Sequence, residues 1–269
     1  MGVIGQMNRI GSTFEALRAR AEVALIPYLM VGHPSLEATR ELLYAIVQAG
    51  ADLVELGVPF SDPLADGATL QRANQAALTR GTGLRDVLAL VASVRGQISV
   101  PLILMSYYNP LFKMGLRRFA DEAGVAGVDG LIVPDLPAEE SGELRDACRG
   151  VGIDLIGMVA PTSPRERVES IARSASGFAY CVTLKGVTGA RRELSPDAQP
   201  LVERVRASSS IPAVVGFGVS SPGHVRAAAA FADGVVVASA LLDRIDTSNG
   251  DHIRAARLFV QELKAACRG

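Results

Sequence analysis

Eight short apolar runs, separated by longer segments, restrict the fold of this chain more than any other feature. Each run has the length of a β-strand, and most are apolar at consecutive positions. Buried parallel strands have this character because both of their faces are covered. The runs are residues 23–31, 53–57, 101–106, 130–135, 154–160, 178–183, 212–218 and 234–239.

The segments between the runs carry the apolar spacing of amphipathic helices. Ser12 or Thr13 is predicted to begin a first helix, with Phe14, Leu17 and Ala21 on one face. Three later helices are predicted to begin where a capping serine precedes a proline. The serines are Ser163, Ser195 and Ser221. The clearest helical segments are residues 36–49, 139–148, 165–175, 197–206 and 222–232.

Eight strands alternating with helices predict an α/β fold, a (β/α)₈ TIM barrel with an extra N-terminal helix. The competing fold, an open doubly wound sheet, requires a glycine-rich fingerprint after the first strand. Here that strand ends in Gly32-His33-Pro34 instead. Residues 50–53, 127–130 and 232–235 share the order helix end, aspartate, strand, which indicates weak repetition of a βα unit. We expect one TIM-barrel domain over residues 1–269.

Composition excludes several classes of function. The 269 residues are 49% hydrophobic and 20% charged, with a net charge of −1, so no basic field attracts nucleic acid or anionic lipid. Three cysteines without a CxxC pair argue against a disulfide framework or a zinc site, and the histidines lack metal-ligand spacing. No signal peptide or bilayer-length apolar run is present. A cytoplasmic protein without a metal or a membrane partner is predicted.

The second run carries the most informative acid. Glu55 lies among apolar residues, where an ionised carboxylate is costly unless it is paired or used. A loop with Asp66 follows, and barrels place their chemistry on such loops at the carboxyl ends of the strands. The neighbours Leu53 and Gly57 leave open whether Glu55 points inward or pairs with a basic residue of a helix. Asp66 alone could be a turn former or a helix cap.

Two further acids are interpreted as structural. Asp62 precedes Pro63 and is read as a turn residue. Asp135 lies between two prolines at the end of the fourth run, where a turn or capping role is favoured.

A phosphate site is predicted at the ends of the seventh and eighth strands, where TIM barrels commonly hold one. Phe217 and Gly218 belong to a GFGVS sequence, in which glycine lets the backbone approach an anion. Ala238 and Ser239 offer N–H groups at a helix start. The loop of residues 185–191, which includes Gly189, resembles a substrate lid.

Six sequences together carry a family resemblance. They are LVELGVPFSDPLADG (53–67), YYNPLF (107–112), VPDLPAEES (133–141), VAPTSP (159–164), GVTGAR (186–191) and GFGVS (216–220). Over residues 14–242 the chain resembles the tryptophan synthase α subunit, the indole-3-glycerol-phosphate lyase family. The first sequence is the most specific of the six.

The resemblance implies a lyase of tryptophan biosynthesis that cleaves indole-3-glycerol phosphate to indole and glyceraldehyde 3-phosphate. It implies that Glu55 and Asp66 are catalytic and that no metal or organic cofactor is needed. It implies a pyridoxal-phosphate-dependent β subunit as partner, in an α2β2 heterotetramer, contacted by residues 59–63 and by Asn109-Pro110. The implied substrate-binding residues are Tyr28, Tyr107, Tyr180, Gly189, Phe217, Gly218, Ala238 and Ser239.

Four positions depart from the family pattern. The family usually has aspartate at His33, a small polar residue at Met30, proline at Ala68 and glycine at Ala238. None of these changes removes a catalytic group. They bear on loop closure and on coupling to the partner.

Three rival functions are weighed against the α-subunit reaction. One is a stand-alone indole-3-glycerol-phosphate lyase of a specialised pathway. A different phosphosugar TIM-barrel enzyme leaves the spacing of Glu55 and Asp66 and the GVTGAR loop unexplained. A subunit that only activates a partner predicts the loss of one acid, and both are present.

Overall fold

A computed structural model describes residues 8–182, 195–216 and 218–268. Eight parallel strands follow one another around a closed barrel in chain order, which confirms the predicted TIM-barrel fold. Every predicted apolar run contains one strand. The strands are β1 (Ala24–Met30), β2 (Val54–Gly57), β3 (Leu102–Met105), β4 (Gly130–Ile132), β5 (Asp154–Val159), β6 (Ala179–Val182), β7 (Ala213–Gly216) and β8 (Gly234–Val237).

Helices surround the barrel and connect its strands. The first half of the chain contains α1 (Arg9–Ala19), α2 (Leu36–Gln48), α3 (Ala68–Thr79), α4 (Leu84–Val94), α5 (Tyr108–Met114) and α6 (Leu116–Ala126). The second half contains α7 (Gly142–Gly150), α8 (Arg165–Ser174), α9 (Ala198–Arg206), α10 (Pro222–Ala229), α11 (Ser239–Asp246) and α12 (His252–Lys264).

The strands separate two apolar layers because successive side chains point to opposite faces. Ile103 belongs to a cluster inside the barrel, whereas its neighbours Leu102 and Leu104 belong to the layer under the helices. Helix α1 contributes Phe14 to the inner cluster, and the Phe14 ring lies 5.9 Å from that of Phe178 just before β6. Helix α1 therefore closes the end of the barrel at which the strands begin.

The repeated aspartates join neighbouring strands at that same end. Asp129, before β4, accepts the Leu102 N–H at 2.8 Å and donates its own N–H to the Leu102 carbonyl at 2.9 Å. Asp52 joins Leu25 and Asp233 joins Ala213 in the same way, each carboxylate accepting at 2.8 Å. Each aspartate also pairs with a cation: Lys264 with Asp52, Arg95 with Asp129 and Arg206 with Asp233.

Several predicted helix starts need correction. Helix α1 begins at Arg9, and Asn8 caps it by accepting the Gly11 N–H at 2.9 Å, so the predicted start at Ser12 or Thr13 was wrong. It also ends at Ala19, which leaves Ala21 exposed beyond it.

Of the three predicted serine caps, only one caps its helix. Ser221 accepts the His224 N–H at the start of α10, as predicted. Ser163 instead accepts the Ala160 N–H in the preceding turn. Ser195 accepts from Asp197, and α9 begins one residue later.

Candidate active site

Glu55 points into the barrel. Leu53, two residues earlier, lies in the inner cluster, while Val54 and Leu56 lie in the outer layer, so alternation along β2 places Glu55 inside. The residue is 1% exposed, and its Oε2 atom has no hydrogen-bond partner in the described part of the chain. No ion pair of Glu55 is found among the described residues, so the alternative of pairing with a helix cation was wrong.

Asp66 lies on the loop that joins β2 to α3, just beyond the mouth of the barrel. Its N–H donates to the Pro63 carbonyl at 3.0 Å, and its carbonyl accepts from Gln71 at 2.8 Å. The cap of α3 is Gly67, with no side-chain capping bond. The backbone of Asp66 therefore forms the turn, and its carboxyl group is not the helix cap.

The two acids are in different protonation environments. Burial, and then the nearby charge of Asp66, raises the pKa of Glu55 to about 8. Burial raises the pKa of Asp66 to about 6, and a hydrogen bond from the Tyr107 hydroxyl opposes this rise. Near neutral pH, Glu55 is mainly protonated and Asp66 mainly ionised. Paired carboxyls with separated pKa values divide the roles of acid and charge stabiliser.

Three predicted tyrosines surround the two acids. Tyr28 pairs in register with Glu55, and its buried hydroxyl lies over Gly57, where a Cβ atom would come within 1.9 Å of it. The Tyr180 ring lies over Gly216 in the same way, 2.3 Å from a Cβ placed there. The Tyr107 hydroxyl accepts the Ala65 N–H at 2.8 Å. Glu55 and Asp66 both help to raise the pKa of Tyr28 well above its usual value, after burial itself.

Two residues that support the site were not predicted. The Phe60 ring stacks on Tyr107 with centroids 5.2 Å apart. Asn74, buried on α3, accepts the Phe60 N–H at 2.8 Å and donates to the Phe60 carbonyl at 2.7 Å. A lone asparagine on a helix gives no sequence signal for this contact. Phe60 lies within the most specific family sequence and could have been considered there.

The predicted phosphate-binding residues that the structure describes lie together at one side of the barrel mouth. Strands β7 and β8 pair in register, so Gly218 and Ala238, which follow their ends, lie at the same side of the mouth. Gly218 has a φ of +79°, which favours glycine. Ser239 begins α11, whose first N–H groups have no acceptor within the helix. Gly189 and Phe217 lie outside the described residues, as do residues 183–194.

The other residues discussed in the sequence, two acids and two departures from the family pattern, lie around the mouth of the barrel. Asp62 is exposed, and Asp135 accepts the Tyr108 N–H at 2.9 Å, where it fixes the start of α5. His33 pairs with Asp246 of α11 at 2.6 Å, and Ala68 is an exposed first residue of α3.

The described residues give no support for a metal site, a reactive cysteine or a membrane-spanning helix. Within residues 8–182, 195–216 and 218–268, no group of three or more His, Cys, Asp or Glu residues could hold a metal ion. Cys148, Cys181 and Cys267 are buried and unpaired, and burial raises the pKa of each thiol to about 12. None of the described helices is both long and apolar enough to cross a bilayer.

The geometry defines a class of protein: a (β/α)₈ enzyme with a buried carboxyl group, Glu55, inside its barrel and a half-buried one, Asp66, at the mouth. A family model described as tryptophan synthase alpha chain matches residues 14–268. The chain belongs to the tryptophan synthase alpha chain family. It is therefore a lyase of tryptophan biosynthesis, and the predicted family, fold and reaction class are confirmed.

Individual relatives agree with this assignment. The tryptophan synthase alpha chain of Roseiflexus sp. strain RS-1 is 52% identical over 260 residues, which are 96% of this chain and 100% of the relative. That of Chloroflexus aggregans is 48% identical over 97% of this chain and 98% of the relative. A structure of Mycobacterium tuberculosis tryptophan synthase is 39% identical, with a TM-score of 0.91 over 98% of this chain and 100% of that chain.

Proposed function

We propose that Glu55 and Asp66 together cleave indole-3-glycerol phosphate to indole and glyceraldehyde 3-phosphate. The observation that carries this assignment is the pair itself: two carboxyls at one barrel mouth, one protonated and one ionised near neutral pH. The reaction breaks the bond between indole C3 and the adjacent glycerol carbon. One proton must reach C3, and another must leave the glycerol hydroxyl as its carbon becomes a carbonyl.

Glu55 is suited to both proton transfers. As the acid it protonates C3, and as the resulting carboxylate it accepts the proton of the glycerol hydroxyl, so it ends the cleavage protonated again. Asp66, ionised, accepts the indole N–H and stabilises the positive charge that protonation of C3 places on the ring. Neither step calls on a cofactor, and we propose that the chain uses none.

The remaining predicted residues are proposed to bind the substrate. Tyr28, Tyr107 and Tyr180 enclose the indole end, which fits their position around the two acids. Gly218, Ala238 and Ser239 hold the phosphate, with Gly189 and Phe217 from the undescribed part of the chain. The amino end of α11 supports this role, because helix N–H groups favour an anion.

We propose a β subunit as partner, in an α2β2 assembly, with pyridoxal phosphate bound on the β chain. Two exposed apolar side chains at the mouth support an interface there: Leu64 is 93% exposed and Phe112 63%. They are next to the predicted contact segments, residues 59–63 and Asn109-Pro110. A single-domain chain in the cytoplasm fits the proposal, and the three unpaired cysteines agree with a reducing compartment.

A direct assay measures indole released from indole-3-glycerol phosphate by the purified chain, alone and then with a β subunit. We expect release that rises when the partner is added. Fast release that the partner does not change would favour the stand-alone lyase. No release in either condition would reject the substrate assignment.

Glu55→Gln tests the proton-transfer role. We expect turnover to fall by about 10²–10⁴-fold or more, because glutamine cannot transfer a proton. Substrate binding and the far-ultraviolet circular dichroism spectrum should be retained. Asp62→Asn, on the exposed part of the same loop, is the matched control and should keep normal turnover when the chain is assayed without the β subunit. Near-normal turnover in Glu55→Gln would remove Glu55 from this role.

The pH dependence of kcat/KM tests the division of roles. Asp66 must be ionised, so activity should rise with pH through about 6, and Glu55 must be protonated, so activity should fall through about 8. A bell-shaped profile with these two limbs is expected from initial rates of indole release. A profile that stays flat from pH 5 to 9 would contradict the assigned protonation states.

A further inference from the structure

The Tyr28 hydroxyl has an unusual hydrogen-bond partner. It donates to the Met30 sulfur, with 3.9 Å between Oη and Sδ, and a thioether is a weak acceptor. Met30 is 2% exposed, ends β1 on the same side as Tyr28, and pairs in register with Gly57. The hydroxyl is therefore held over Gly57 by a buried sulfur atom.

Two stronger acceptors at the same mouth of the barrel have no partner. Glu55 Oε2 and Asp66 Oδ1 are buried, and neither accepts a hydrogen bond in the described part of the chain. Both carboxyls are close enough to influence the ionisation of Tyr28. A carboxylate normally takes an available donor, because leaving a buried acceptor unpaired costs about 1–3 kcal/mol.

A hydrogen bond from a phenol to either carboxylate would favour its ionised form. Glu55 also faces Asp66 on the following loop, Tyr28 on β1 and Tyr180 on β6. Asp66 also faces Tyr107, whose hydroxyl already favours its ionised form. The Tyr28 hydroxyl thus donates to Met30, while both acids influence its ionisation and each keeps a buried oxygen unpaired among the described residues.

We propose that Met30 is a positioning residue that withholds the Tyr28 hydroxyl from Glu55 and Asp66. Its sulfur accepts the hydroxyl proton, and its bulk fills the end of β1, so the two carboxyls keep oxygens free for the substrate. The proposal rests on the proposed function, because it gives a purpose to the unpartnered oxygens. It assigns a role to a position at which this chain departs from the small polar residue usual in the family.

Met30→Leu is the informative variant, since it nearly conserves volume and removes the acceptor. The Tyr28 hydroxyl must then find another partner, and we expect one limb of the kcat/KM profile to move to lower pH by about 1 unit. Met105→Leu is the matched control. Met105 ends β3, and its sulfur accepts no hydrogen bond among the described residues, so both limbs should stay in place.

Removing the Tyr28 hydroxyl as well completes a double-mutant cycle. The Tyr28→Phe/Met30→Leu double variant should have the same limbs as Tyr28→Phe alone, because no hydroxyl is left to move. Unchanged limbs in Met30→Leu would overturn the proposal, and so would a shift that persists in the double variant. A loss of stability without a hydrogen-bonding change would not produce this pattern.

A second readout separates this inference from the proposed function. Carboxyl ¹³C NMR titration of the free protein, with Glu55→Gln and Asp66→Asn for assignment, follows the two acids without turnover. The Met30→Leu shift should appear there even if indole-3-glycerol phosphate proves not to be the substrate. Titration midpoints that match wild type in Met30→Leu would reject the role of Met30 and leave the lyase assignment standing.

Discussion

Glu55 is a carboxyl group that the folded protein holds in its protonated form. The pKa rises from an ordinary value of 4.5 to about 8 because burial removes hydration and Asp66 lies nearby. The folded state therefore binds this proton more tightly than the unfolded state does. By linkage, the associated stability is fully present below pH 4.5 and is lost progressively as pH rises towards 8.

Glu55→Gln should consequently make the protein more stable at alkaline pH. Glutamine keeps the shape and stays neutral, so the free energy of unfolding should exceed that of wild type by on the order of 4 kcal/mol near pH 8, with little difference near pH 4.5. Urea unfolding at several pH values measures this difference. Glu140→Gln, on the surface, is the control. An equal difference at both pH values would show that proton binding by Glu55 is not the cause.

Gly216 is required by the position of Tyr180. A Cβ atom there would lie 2.3 Å from the Tyr180 ring, so Gly216→Ala must displace the ring from the acids. We expect a loss of about 1–3 kcal/mol in stability from overpacking, and at least about tenfold lower kcat/KM. Gly96→Ala is the control, because its Cβ would have nothing within 4 Å. Normal activity in Gly216→Ala would show that the placement of Tyr180 is unimportant.

The sequence located the acids but could not orient them. Alternation places Leu53, Glu55 and Gly57 on one face, yet apolar residues on both sides of the strand conceal which face is the interior. Only the packing of Leu53 in the inner cluster resolves this. The support of Phe60 by Asn74 was equally inaccessible, because the contact depends on how α3 sits against the loop.

At the scale of elements, the three aspartate connections explain the weak repeat in the sequence. Each aspartate hydrogen-bonds through both its backbone N–H and its carboxylate to the first or second residue of the preceding strand. The connections hold strand pairs β1–β2, β3–β4 and β7–β8 at the end remote from the mouth. They provide hydrogen-bond acceptors for strand N–H groups that would otherwise be unpaired where the sheet begins.

Asp129→Ala should be strongly destabilising. It leaves the buried Leu102 N–H without its acceptor and removes the partner of Arg95, whose own pKa burial lowers. We expect a loss on the order of 3 kcal/mol, measured by chemical unfolding. Asp121→Ala removes an exposed partner of Arg117 and should cost less than about 0.5 kcal/mol. Similar losses in both variants would mean that the connection contributes no more than a surface pair.

Strands were easier to predict than helices in this fold, and packing is the reason. A buried parallel strand must be apolar on both faces, which leaves a continuous run such as Gly234–Val237. Helices α3, α5 and α11 follow mouth loops, so their starts carry glycine, tyrosine or alanine caps rather than a capping side chain. The start of α1 was missed although Asn8 is a capping residue and Ile10, Phe14 and Leu17 already have the spacing of one buried helical face.

In the whole molecule, the contacts that stabilise the fold and the residues proposed for catalysis lie at opposite ends of the barrel. Helix α1 and the aspartate connections occupy the end at which the strands begin. The loops at the other end carry Asp66 and Tyr107, together with exposed apolar side chains. Substitutions at the first end should therefore change unfolding, whereas those at the mouth should change turnover or association.

The exposed residues at the mouth test the proposed association with a β subunit. Leu64→Ser and Phe112→Ser remove apolar side chains that are mostly exposed in the isolated chain, where the Phe112 ring lies 5.7 Å from that of Tyr108, so its own basal activity and stability should change little. If this face meets the partner, each should weaken association by roughly tenfold, or about 1.4 kcal/mol, as interfacial apolar anchors do. Titrating the β subunit against the rate of indole release, and calorimetry of the same mixtures, measures the change.

Val125→Ser is the matched control for the interface. Val125 is 92% exposed but lies in the last turn of α6, shortly before β4 begins, so it is at the opposite end of the barrel from the mouth. Val125→Ser also removes an exposed apolar side chain, and it should leave association with the β subunit unchanged. Equal weakening by all three variants would indicate a general effect of surface polarity, and no weakening by any would place the partner on a different face. Selective weakening by Leu64→Ser and Phe112→Ser would place the partner over the mouth of the barrel, where both exposed side chains lie.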